Sequence, residues 1–438
     1  MGTTQSQDHM LKLPLAAMVF LLPLRAFSIP GMGGATPGLM IALFLIIVIW
    51  SQTRVYRRGW PVALFIASLM SAPLLIEITR ADHDVDSTAG IGYYVILIGA
   101  LLTYLALLWS KRELGLRATA LLYSAGWILQ QALSSSNWST NAWKYAFAWP
   151  VTIFLAALIY NNRSRLMSIA LIAVLAALSI MNDYRSNFGL LVVAGLIVLW
   201  LWKRKNVPSG PKATAILIGL TGIFWAVYQC ASWLALQGYL GARNQMVTAS
   251  QIANGENLLT SGRVESSAAF NLFLHNPFGY GPGVAPNSED VFIAKTALQA
   301  TGVNLEGDYV NTYVLGDQIK LHSVASDLWV SFGLAGLILA AYLAWLLLTR
   351  LVASHERVTV LYVFASLVAL WDIAFSPITS NIHEVIFAAV LATPLLSERH
   401  ENNRTKKVHI RRLTPHEQRL RELTDAHAAR THLSAKAT

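Results

Sequence analysis

KLHSVASDLWVSFGLAGLILAAYLAWLLL, residues 320–348, carries one acid, Asp327, and no charge from there to its end. An apolar helix of about 20 residues crosses the hydrocarbon core of a bilayer, and this stretch is long enough. Similar runs recur at 12–28, 36–50, 60–78, 91–110, 115–133, 142–160, 164–180, 187–202, 213–236, 356–373 and 381–397. The pattern predicts an all-α integral membrane protein of about 12 transmembrane helices. Composition agrees: 438 residues are 55% hydrophobic and 13% charged, with a mean hydropathy of +0.49. A soluble domain carries about twice that charge. The single cysteine, Cys230, forms no intrachain disulfide and reads as a packed apolar thiol.

Orientation follows from the connections, because Lys and Arg are retained on the cytoplasmic side. Arg54/Arg57/Arg58, Lys111/Arg112/Arg117, Arg163/Arg165, Lys203/Arg204/Lys205/Lys212 and Arg350/Arg357 mark alternate connections, and a basic tail begins at Arg399. The others read IPGMGGATPG, TRADHDVDSTAG, SSSNWSTN, NDYRSN and AFSPITSN, and are neutral or acidic. Residues 1–11 lack the charged start and cleavage site of a secretory signal, so both termini are expected in the cytoplasm. The resulting map has nine spans in 1–236, a large extracytoplasmic loop at 237–321 between spans 9 and 10, spans 10–12 in 322–397, and a cytoplasmic tail at 398–438. The net charge of +10 then describes topology and attraction to anionic inner-leaflet lipids, not nucleic-acid binding.

Chemistry is expected where polar residues gather on the outer side. In the loop, TSGRVESSAAFNLFLHNPFGYGPG opens a helix near Ser261, with Val264, Ala268, Leu272 and Phe273 sharing a face that would lie on the bilayer surface. Pro277 through Gly283 must then turn irregularly, either returning the chain to the membrane or offering backbone amides to an anion. His322 stands where the loop becomes a helix. A helix N-terminus favours neutral imidazole, a proton acceptor, although a histidine there also serves simply as a cap. Arg263 and Arg185 break the positive-inside pattern, and a guanidinium matches a pyrophosphate bidentately. Each arginine also reads as a snorkelling or ion-paired residue, with Asp183 a partner for Arg185. Arg80 and Arg25, near outer helix ends, share that ambiguity. Asp82, His83, Asp84 and Asp86 have a spacing that would hold a divalent metal, or form the acidic loop that topology selects. His383 and Glu384 start the last span near Asp372, at the outer end of the previous one, and either line one cavity with it or simply pair.

These pieces together resemble the O-antigen ligase and polysaccharide polymerase superfamily of bacterial inner-membrane glycosyltransferases. The resemblance rests on NDYRSNFGLLVVAGLIVL (182–199), on SGR (261–263) followed by HNPFGYGPG (275–283), and on His322 followed by FGLAGL (332–337). It covers about the C-terminal 60% of the chain. It implies transfer of a glycan from an undecaprenyl-pyrophosphate carrier to a lipid, wall or glycan acceptor at the outer face of the cytoplasmic membrane, with neither metal nor cofactor. Arg263 and Arg185 would engage the pyrophosphate, with Arg80 as a further contact, and His322 would be the loop-end catalytic histidine, acting with Arg263. The chain departs from the pattern at Glu265, Ser266 and Ser267, where an aromatic residue is common, and at Ser323, where Asn is common. A ligase and a polymerase share these motifs. A transporter or lipid-linked glycan flippase is the competing class, and it would place its polar residues at mid-membrane.

Overall fold

A computed structural model describes residues 3–28, 34–134, 138–162, 164–202, 265–299, 309–353 and 359–396, with isolated positions between 203 and 308. The described chain is mostly α-helical, with isolated bridges but no strand. Helices form where the apolar runs lie: α1 (Thr3–Leu21), α2 (Pro37–Phe44), α3 (Ile46–Gln52), α4 (Gly59–Thr79), α5 (Ser87–Glu113), α6 (Gly115–Leu133), α7 (Trp138–Ala142), α8 (Ala148–Leu158), α9 (Arg165–Met181) and α10 (Arg185–Trp202). After the loop helices α11 (Glu265–His275) and α12 (Ser288–Gln299) come α13 (Val324–Ala353), α14 (Val360–Phe375) and α15 (Ile378–Ala392). Their starts are set by short polar side chains that accept from free backbone amides: Thr36 for α2, Asp86 for α5, Ser164 for α9 and Thr359 for α14.

Among the described residues three helices, α4, α5 and α13, are long and apolar enough to cross a membrane, and α2 with α3 makes a fourth if that bent pair is one span. The pair is bent by 72° where Leu45 leaves helical geometry, so the run at 36–50 is not one straight helix. The run at 142–160 likewise enters α8 through a π turn at Trp143–Phe147. The run at 213–236, most of the loop before Glu265, and the tail at 398–438 lie outside the described residues. Large apolar side chains face outward on α3, α4 and α9: Ile47, Met70 and Leu166 are 82%, 73% and 77% exposed. A water-facing surface disfavours such contiguous apolar area. Val55–Arg57 and residues 394–396 belong to a second small unit, joined by an antiparallel bridge between Tyr56 and Leu395.

The described part of the loop has its own core. Ala268 and Leu272 of α11, Ala294 and Leu298 of α12, and Val310, Val314 and Ile319 close on Tyr280, Trp329 and Val330. The expected bilayer-facing stripe of α11 is therefore turned inward, because α12 and the head of α13 offer it an apolar partner. The opposite face of α11 exposes Phe270 and Leu274.

Candidate functional site

Helix α13 breaks at Gly333 (φ 64°, ψ −152°), a conformation essentially confined to glycine. Beside the break, the Val330 carbonyl accepts from the amides of Tyr280 and Gly281, at 3.0 and 2.9 Å. Trp329 Nε1 donates to Pro277 O at 3.0 Å, and Ser71 Oγ to Phe332 O at 2.8 Å. The PFGYGPG turn is thus docked into the helix break, and its next residues join the α4–α5 connection through Asp86 N to Gly283 O (2.8 Å) and Ala285 N to Asp84 O (2.9 Å). Thr79 Oγ1 caps the Tyr280 carbonyl at 2.7 Å. The amides that the sequence left open for an anion are therefore spent within the protein at Tyr280 and Gly281.

This docking shapes the surroundings of His322. Ser323, not His322, caps α13: its Oγ accepts from Ser326 N at 3.2 Å and donates to Ile373 O at 2.9 Å. His322 stands just outside the cap with φ 50°, a left-handed backbone that non-glycine residues adopt at some cost. Its Nδ1 lies 3.5 Å from Oε1 of the buried Glu265, the first residue of α11. Asp327 holds both sides of this corner, accepting from Leu321 N at 3.1 Å and from Ile378 N at 2.9 Å. Here a cavity of about 350 Å³ opens, lined by His322, Glu265, Ser266, Ser323 and Ser326 and by aromatic walls that include Phe273, Trp329 and Phe375. One polar edge against an apolar wall suits a ligand with a polar group joined to a hydrophobic one.

Other expected residues are distributed differently. Arg263 lies outside the described residues, two positions before Glu265. Arg185 opens α10, next to Asp183, whose φ is 53° and whose charge it feels. Helix α10 packs on α14, whose Ala374 and Phe375 line the cavity, but Arg185 does not line it. Arg80 is exposed at the end of α4, 3.1 Å from Glu77, and does not line it either. Sequence reasoning missed Glu265 as a partner and Asp327 as a brace. An acid inside an apolar run was the available signal for Asp327. Nothing local marked Glu265.

The acidic α4–α5 connection is divided among separate tasks. Asp86 caps α5 through Thr88 N and Ala89 N. His83 is clamped, Nδ1 to Asp82 Oδ1 and Nε2 to Asp290 Oδ2, both at 2.7 Å, and Tyr280 Oη donates to Asp290 Oδ1 at 2.8 Å. Among the described residues no group of three His, Cys, Asp or Glu side chains has metal-holding geometry. Burial opposes charge on His83, but the hydrogen bonds and charges of Asp82 and Asp290 outweigh it and raise its pKa above the ordinary 6.5. A raised folded-state pKa adds stability that is complete below 6.5 and is lost as pH rises through the raised value. In detergent, the stability difference between wild type and His83→Asn should therefore be large near pH 6 and shrink towards alkaline pH. Unfolding midpoints across that range check this, and a constant difference would remove the charged clamp.

His383 belongs to a second cluster. Its ring stacks on Trp127 with centroids 3.8 Å apart, and its Nε2 is 3.7 Å from Glu384 Oε1. Asp372, at the end of α14, accepts from Asn381 Nδ2 at 3.3 Å. His383 thus lines a different cavity from His322. Compared with family models, curated proteins and solved structures, the chain matches none of them.

Proposed function

We propose that the chain is a multi-pass glycosyltransferase of the O-antigen ligase type, embedded in a bacterial cytoplasmic membrane by about twelve spans. Both termini are cytoplasmic in this reading, and the 237–321 loop faces outward. The observation that carries it is the meeting of His322 with Glu265 at the rim of an aromatic cavity, where the segment following Ser261-Gly262-Arg263 joins the head of α13.

The reaction needs a base and a stabilised leaving group. An acceptor hydroxyl attacks the anomeric carbon, its proton passes to His322, and the bond to the undecaprenyl pyrophosphate breaks. Glu265 orients the imidazole and stabilises the imidazolium that forms. Arg263 and Arg185, with Arg80 as an outlying contact, supply fixed positive charge for the pyrophosphate. Ser323 in place of the family's Asn retains the helix cap, since either side chain performs it. A polymerase, using a second lipid-linked repeat as acceptor, is the close alternative. A transporter is a weaker reading, because the His322 cavity is lined by loop residues and helix ends that the charge pattern places outside.

Purified protein reconstituted with a defined undecaprenyl-pyrophosphate oligosaccharide tests the reading. Transfer that begins only when acceptor lipids or wall fragments are added identifies a ligase, and a ladder of longer glycans formed without them identifies a polymerase. Inverted anomeric configuration and indifference to a chelator are expected in either case. Arg263→Ala and Arg263→Lys should abolish transfer. No transfer under any acceptor condition, from protein that is folded, would refute the assignment.

A further inference from the structure

The second cavity, about 330 Å³, lies between the C-terminal ends of α1 and α6 and the N-terminal parts of α2, α5 and α15, and shares no lining residue with the His322 cavity. Much of its lining is aliphatic: Leu22, Leu39, Val95, Ile96 and Ile386. Arg25, Tyr123, Trp127, Thr379 and His383 form its polar side. Arg25 is exposed, and its position is built. The guanidinium lies 5.8 Å from the centroid of Trp127, that ring is stacked on His383, and Nη1 reaches Thr379 O at 3.4 Å. Among the described residues no carboxylate comes within ion-pair distance of Arg25, and Glu384 does not line the cavity.

A guanidinium has five donors and a permanent charge, and one long bond to a carbonyl leaves most of that capacity for a ligand. A phosphate or carboxylate fits it. The aliphatic lining adds a requirement that a free anion does not meet, namely a hydrocarbon tail. We propose that this cavity binds one anionic membrane lipid, its headgroup on Arg25 and its chain along Leu39, Val95 and Ile386. The site is independent of the glycosyltransferase reading.

Native mass spectrometry of the full chain released from detergent tests it, with phosphatidic acid, phosphatidylcholine and inorganic phosphate as probes. Wild type should retain one phosphatidic acid, and Arg25→Gln should weaken that by about tenfold or more, as loss of a charge-assisted hydrogen bond does. Gly92→Leu is the second variant. Gly92 lines the cavity and a Cβ there meets no atom within 4 Å, so the substitution fills the space without disturbing the helix. It should weaken phosphatidic acid similarly. Equal retention by wild type and both variants would overturn the site. Equal retention of phosphatidylcholine would show unspecific annular lipid, and inorganic phosphate bound as tightly as phosphatidic acid would show an anion pocket with no use for the chain.

Discussion

His322→Ala is expected to lower turnover by about a hundredfold to ten-thousandfold, the contribution of a positioned general base, while helix content and unfolding midpoint stay near wild type. The side chain is partly exposed at the cavity rim, and its removal leaves the Ser323 cap and the Asp327 brace in place. Glu265→Gln keeps the shape but removes the carboxylate 3.5 Å from Nδ1. It should lower kcat with little change in KM, because the charge matters once the imidazole has taken the proton. A KM effect alone would make Glu265 a binding residue, and wild-type turnover in His322→Ala would remove the histidine from the mechanism.

Gly333→Ala is expected to have the largest effect on stability. At φ 64° and ψ −152° a side chain is strained by about 1–3 kcal/mol from the backbone alone. A Cβ would also lie 2.5 Å from Phe278 O and 2.9 Å from Leu75 Cδ1. Phe278 O belongs to the docked turn, which cannot retreat without losing the Tyr280 and Gly281 hydrogen bonds to Val330. The turn holds Trp329, a cavity wall, through Pro277 O, so transfer activity should fall together with stability. Gly189→Ala in α10 is the matched control, since a Cβ there meets nothing within 4 Å. Equal melting of Gly333→Ala and wild type would mean that the helix break is not required by the fold.

Helix positions were legible because hydropathy is a local property, written wherever about twenty apolar residues follow one another. Breaks were not. Leu45 and Gly333 sit in runs that read as continuous, and only a partner held against the Gly333 bend makes it favourable. The candidate site was half legible. His322 could be picked out as a polar residue at a loop-to-helix junction. Its relation to Glu265 could not, since nothing nearby in the chain couples the two, and at the sequence level Glu265 stood only as a departure from the family pattern. The acidic connection was legible only as a cluster: its division into a cap at Asp86 and a clamp on His83 depends on Asp290, a carboxylate on α12 some two hundred residues away.

The sequence by itself determined that this is a mostly helical protein with helices apolar enough to cross a membrane, since burial in lipid or in a packed bundle depends on composition along each run. It also marked which connections hold polar residues. Tertiary structure alone decided which of those residues meet. The docking of the 277–283 turn into the break of α13, the pairing of His322 with Glu265 and the placement of Arg25 beside Trp127 all depend on contacts between distant segments. Such contacts follow from how side chains fill the space between helices, which no local pattern encodes.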